Sequence, residues 1–139
     1  MASFNKFQAW VDAMVEVVNC STDQFTVALT ATANAPVATN SVLTDLTQIA
    51  YTNLSARTLT TSSSSQTTGT YSLVIADLTL TASGGSVAAF RYVVTYDDTP
   101  ASGGYTDPLV CWHDYGSSVT LADTETFTFD ITGQLFTVA

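Results

Sequence analysis

Residues 71–96, YSLVIADLTLTASGGSVAAFRYVVTY, decide the fold class. Tyr71, Leu73 and Ile75 alternate with smaller or more polar residues, which is the two-residue period of a β-strand. Leu78 and Leu80 continue on the other parity, so the spacing predicts a strand over 71–81 with a β-bulge near Ala76-Asp77. Ser83-Gly84-Gly85-Ser86 is turn chemistry. Beyond it Phe90, Tyr92, Val94 and Tyr96 share one face, and Val87, Ala89, Arg91 and Val93 share the other. The pattern predicts an antiparallel hairpin of 71–81 with 87–96. The second strand, apolar on both faces, belongs at the centre of a layered structure.

The same reading extends in both directions. Phe25, Val27 and Leu29 alternate as a half-buried strand. Asn34, Pro36 and Asn40 mark a loop, and Val42, Leu46 and Ile49 allow one helical turn within 39–50. The low-complexity stretch 57–68, RTLTTSSSSQTT, reads as a strand with two wet faces, because Thr favours pleated backbone, or as a flexible linker. Residues 97–107 form a loop rich in Gly, Pro and Asp. Leu109–Trp112 starts a strand that Tyr115-Gly116 turns, Phe127, Phe129 and Ile131 alternate, and Leu135–Val138 close the chain.

Only the N-terminal segment breaks this pattern. Phe4, Phe7, Trp10, Val11, Met14, Val15 and Val18 recur at helical spacing, with Ser3 as an N-cap and Asn5, Gln8, Asp12 and Glu16 on the other side. The expected architecture is therefore mainly β. It is a single domain over residues 1–139, with an antiparallel β-sandwich or jelly-roll-like core over about 23–138 and one amphipathic α-helix over about 4–18.

Composition narrows the function. The chain has 12 acidic residues against 3 basic ones (Lys6, Arg57 and Arg91), a formal charge of -9, and 46% hydrophobic residues. Nucleic acid and anionic membranes require a basic surface, so neither is expected as a partner. With Asp12 and Glu16 interrupting the N-terminal apolar residues, no secretory signal is read, and no apolar run is long enough to predict a membrane span. Cys20 and Cys111 match no zinc pattern and are expected to be free, packed thiols, with a single disulfide as the alternative.

Little in the sequence looks like chemistry. His113-Asp114 is the only His–acid pair, with Ser117 and Ser118 nearby, but no nucleophile elbow surrounds either serine. Asp97, Asp98 and Asp107 offer oxygens to a hard cation without the spacing of a calcium loop. Trp10, Trp112 and the tyrosines would suit a sugar platform or a protein interface, and Tyr105, in a Gly-rich loop, is the one expected to be exposed. We therefore expect no catalysis, no metal and no cofactor.

Taken together, residues 25–50, 65–98 and 107–131, with the start FNKFQAWVDAMVEVV, resemble small virion proteins encoded in the structural modules of tailed bacteriophages. The resemblance implies a capsid decoration (cement) protein, made in the host cytoplasm and placed on the virion surface. Its partners would be the major capsid protein and copies of itself, as a trimer. A tail-tip or fibre module binding host glycans is the second implication. The interface candidates are Phe4, Phe7 and Trp10 in the N-terminal segment, Arg57, Thr58 and Thr60 in the polar stretch, and Tyr105. The expected N-terminal helix either covers one side of the sheet or packs against a neighbouring subunit. As a contact element, its loss on deletion of residues 1–18 is expected to weaken particle binding more than folding of the sheet.

Overall fold

The computed structural model describes residues 3–139, and its sheets are antiparallel throughout. The central sheet is built from β1 (Ser3–Lys6), β2 (Phe25–Thr30), β6 (Phe90–Asp97) and β9 (Leu109–Val119), in the order β1-β9-β6-β2. A second sheet joins β3 (Thr61–Thr67), β4 (Thr70–Ile75) and β11 (Phe136–Val138), in the order β11-β4-β3. β5 (Leu78–Thr81) pairs with β10 (Thr126–Phe129), and β7 (Ala101–Ser102) with β8 (Tyr105–Thr106). The fold is mainly β with one short helix, α1 (Trp10–Glu16), near the N-terminus, and it is consistent with a β-sandwich.

One hydrophobic core unites these layers. Phe25, Val27 and Leu29 of β2, Phe90 and Val94 of β6, and Leu109 and Cys111 of β9 pack in a cluster with Leu73 and Ile75 of β4, Leu80 of β5 and Trp10 and Ala13 of α1. β2 is buried along its whole length, where alternation predicts a half-buried strand. The chain between β2 and β3 accounts for this. Val27 donates its N–H to the Arg57 carbonyl, Leu59 donates to Phe25, and Ile49 donates to Leu29, so residues 48–59 cover the outer edge of β2. Within this crossing, residues Leu43–Asp45 form the short helical turn expected in 39–50.

The expected hairpin of 71–81 with 87–96 does not form. The first strand breaks at Ala76-Asp77 into β4 and β5, which join different sheets, and β6 pairs with β2 and β9. The turn at residues 83–86 reverses the chain, but Val87 then donates its N–H to the Leu121 carbonyl and the chain crosses to the central sheet. Tyr115-Gly116 likewise bulges rather than ends a strand. β9 runs on to Val119, with extra residues around Gly116 (φ +92°) opposite the step from Phe90 to Tyr92. The polar stretch 57–68 is no linker. Its second half is β3, an edge strand that is exposed along most of its length.

The helix expected over 4–18 is also corrected. Residues 3–6 form β1, in register with Asp114–Cys111 of β9, and only Trp10–Glu16 is helical. Phe4, Phe7 and Trp10 fit a helical period, yet pairing with β9 offers Phe4 and Phe7 more than local propensity does. Phe7 then continues the strand direction, donating its N–H to the Val110 carbonyl at 3.3 Å.

Candidate docking surface

The central sheet has two ends, and they differ. At the β2 end, residues 48–59 occupy the edge. At the other end β1 is the terminal strand, and among the described residues nothing is bridged to its outer side. In an antiparallel ladder, backbone groups alternate between the partner and the open side. The Phe7 N–H points to β9, so those of Asn5 and Ser3 do also, while Phe4 and Lys6 turn their backbone N–H and C=O groups outward.

Two grooves flank this edge and share Phe4, Gln134 and Leu135. The first, about 530 Å³, runs past Tyr115, Phe127 and Phe129 and has Thr128, Asp130 and Thr132 among its polar residues. The second, about 580 Å³, lies between β1 and β11. Phe4 and Lys6 line one side of it and Phe136 and Val138 the other, with Trp10, Met14 and Val110 also lining it. Phe4 is 46% exposed, Val11 47% and Val138 39%, so the grooves open onto an apolar surface.

His113 lies beneath this surface. Its ring meets Phe4 and Phe129 edge-on, and its Nδ1 is buried without a hydrogen-bond partner. Burial lowers its pKa and favours the neutral ring. Asp114, the next residue along the strand, points to the opposite face. There it takes a bidentate ion pair from Arg91, at 2.7 and 2.9 Å, which holds its carboxyl below the usual range. The His–acid pair of the sequence is therefore not a pair in space.

The remaining candidates fall into separate places. Phe7 and Trp10 are core residues, 0% and 3% exposed, so of the three N-terminal candidates only Phe4 presents itself at the surface. Arg57 lies at the far end of the sheet, donating to the Val27 carbonyl with its guanidinium 3.7 Å over the Tyr51 ring. Thr58 and Thr60 are exposed on either side of buried Leu59. Tyr105 is half-buried and donates its hydroxyl to Asp12 at 2.6 Å, which fastens the β7–β8 loop to α1. Trp112 packs against Phe7 at 4.6 Å. Sequence reasoning missed Lys6, Val11, His113 and Val138 as neighbours of Phe4. The alternation Phe4-x-Lys6 was the available signal for a strand, masked by the coincident helical spacing.

The acidic loop has a different character. Asp97 is fully buried, with Oδ1 accepting from the Thr99 N–H at 3.1 Å and Oδ2 free of any N–H or O–H donor. Burial, and then the neighbouring Asp23, push its pKa up to about 7. A protonated Asp97 donating to Asp23 satisfies the orphan oxygen, while Asp23 accepts the Asn19 N–H at 2.6 Å. Among the described residues, no group of three or more His, Cys, Asp or Glu is arranged to hold a metal ion. Both cysteines are free, and Cys111 is buried opposite Thr95.

Comparison of the chain with protein families, with curated proteins and with solved structures found no match.

Proposed function

We propose that this is a structural protein of a tailed-phage virion: a decoration protein that binds the outer capsid shell, stabilises it, and assembles as a trimer on the major capsid protein. The observation that carries this reading is the apolar surface around Phe4, Val11 and Val138, set at an open sheet edge of a strongly acidic domain. Exposed apolar residues gathered beside a groove mark contact with another macromolecule. Symmetric association would repeat that patch on each subunit. The acidic remainder, facing solvent, would keep decorated particles apart. The test is co-sedimentation of the purified protein with expanded phage shells stripped of their own decoration protein. Saturable binding with raised shell stability supports the reading, and no binding at micromolar protein overturns it.

A second reading has its own observation. The groove lined by Phe4, Tyr115, Phe127 and Phe129 combines aromatic rings with Thr128, Asp130, Thr132 and Gln134, a composition suited to a sugar. It favours a tail-tip or fibre module binding host glycans. The candidate aromatics around Tyr105 and Trp112 give way in that case to Tyr115 and Phe127. Specific signal on a glycan array, lost in Tyr115→Ala, would establish it over shell binding.

A further inference from the structure

The groove between β1 and β11 is bounded by two strands that each end a sheet. An open strand edge offers a row of backbone donors and acceptors that only another extended chain can satisfy in full. Phe4 and Lys6 supply these groups on β1. Lys6 is exposed and, among the described residues, takes part in no ion pair, whereas Arg57 is held by the Val27 carbonyl and Arg91 by Asp114. A cation on the open edge of a domain of charge -9 selects the occupant.

We infer that this groove takes up an extended, carboxylate-bearing segment of a partner protein, which pairs with the outer edge of β1. The carboxylate faces Lys6, and an apolar side chain two residues away lies over Phe4. In an antiparallel arrangement the partner reads acidic-x-apolar. A second copy of this chain fits less well. Antiparallel pairing of the outer edge of β1 with itself sets outward-facing residues opposite each other, so centred on Asn5 it places Lys6 against Phe4 and covers the ammonium without a counter-charge. The inference rests on the reading of the chain as a docking protein, and it adds the mode of docking and the chemistry of the partner.

The probe is the capped peptide acetyl-TETVTVT-amide, with a Lys-for-Glu peptide as control, titrated into the isotope-labelled full chain. The expected result is saturable binding of the Glu peptide that slows exchange of the Phe4 and Lys6 amides about tenfold or more. Lys6→Pro removes the outward-facing donor together with the ammonium but no group paired to β9, so it should spare the ladder with β9 and weaken binding about tenfold or more. Lys6→Glu should reverse the preference between the two peptides, and it decides the matter if Lys6→Pro fails to fold. Binding that ignores both substitutions, or absence of binding, overturns the inference. Shells that bind the parent and Lys6→Pro equally also overturn it, while leaving the virion reading intact. Peptide binding without shell binding does the reverse.

Discussion

The Phe4 ring stands edge-on over the His113 imidazole, with centroids 5.5 Å apart, and so ties the exposed edge strand to the half-buried floor beneath it. Phe4 is thus placed by the fold but only half used by it. Phe7, three residues on, is wholly buried.

These two residues separate docking from folding. Phe4→Ser should leave the far-UV spectrum unchanged, destabilise the chain by about 1 kcal/mol, and weaken shell binding about tenfold or more. Phe7→Ala should cost about 3–5 kcal/mol and depress the melting temperature severely. Thermal melts beside co-sedimentation check both. The same geometry revises the expectation for deletion of residues 1–18. It removes a paired strand and core residues, so folding and binding should be lost together.

The stability contributed by Asp97 should fall as pH rises from about 4 to about 7. The folded pKa of Asp97 is raised from 3.8 to about 7 by burial and by Asp23, so its favourable contribution is complete below the unfolded value and gone once pH passes the folded one. Cys20 and Asp98 also face this site, and Asp98 adds to the shift. His113 acts in the opposite sense: its lowered pKa gives stability that is full above pH 6.5 and declines as pH falls. Asp97→Asn isolates the first effect, since an amide can donate permanently to Asp23. Melting temperatures at pH 5 and pH 8 should differ less in this variant than in the parent, with the gain at pH 8. An unchanged difference would assign the pH dependence elsewhere.

The fold class was legible because it rests on alternation. Phe127 and Phe129, Tyr71 and Leu73, and the apolar faces of β6 all read correctly as strand. Pairing was not legible, because turn residues such as Gly84-Gly85 specify a reversal without naming the strand met afterwards. Burial of both faces of β6 marks it as a central strand, but it does not name β2 and β9 as the strands that pair with its two edges. The candidate surface was half legible. Phe4 stood out as an apolar residue, but its exposure depends on β1 being an edge strand. The meeting of β1 with β11 joins opposite ends of the chain, which no local pattern encodes.

The two thiols should differ in reactivity. Cys111 is fully buried, and burial pushes its pKa up to about 12, so at pH 8 it is almost wholly protonated and shielded. Cys20 is half-buried and raised less. A thiol reagent should therefore label Cys20 slowly in the native protein and Cys111 only on unfolding, as peptide mass mapping would show. Labelling of Cys111 first would contradict the packing.

The β3–β4 turn carries strain that one substitution should relieve. Thr68 and Gly69 have φ values of +49° and +86°, as a two-residue hairpin of the I′ type requires. Thr is β-branched and fits this region poorly, whereas Asn tolerates it. Thr68→Asn should stabilise the chain by about 0.5–1 kcal/mol in denaturant titration. A loss of stability would show that Thr68 makes a contact worth more than its strain.

The most direct measurement is the amide hydrogen-exchange footprint of the protein bound to phage shells, compared with the free chain. Protection should concentrate on Phe4 and Lys6 of β1, on α1 and on β11, with β3 and residues 57–60 exchanging as in the free protein. Protection of β3 and 57–60 with an unprotected β1 would contradict it, and would move the docking surface to the hydroxyl-rich edge.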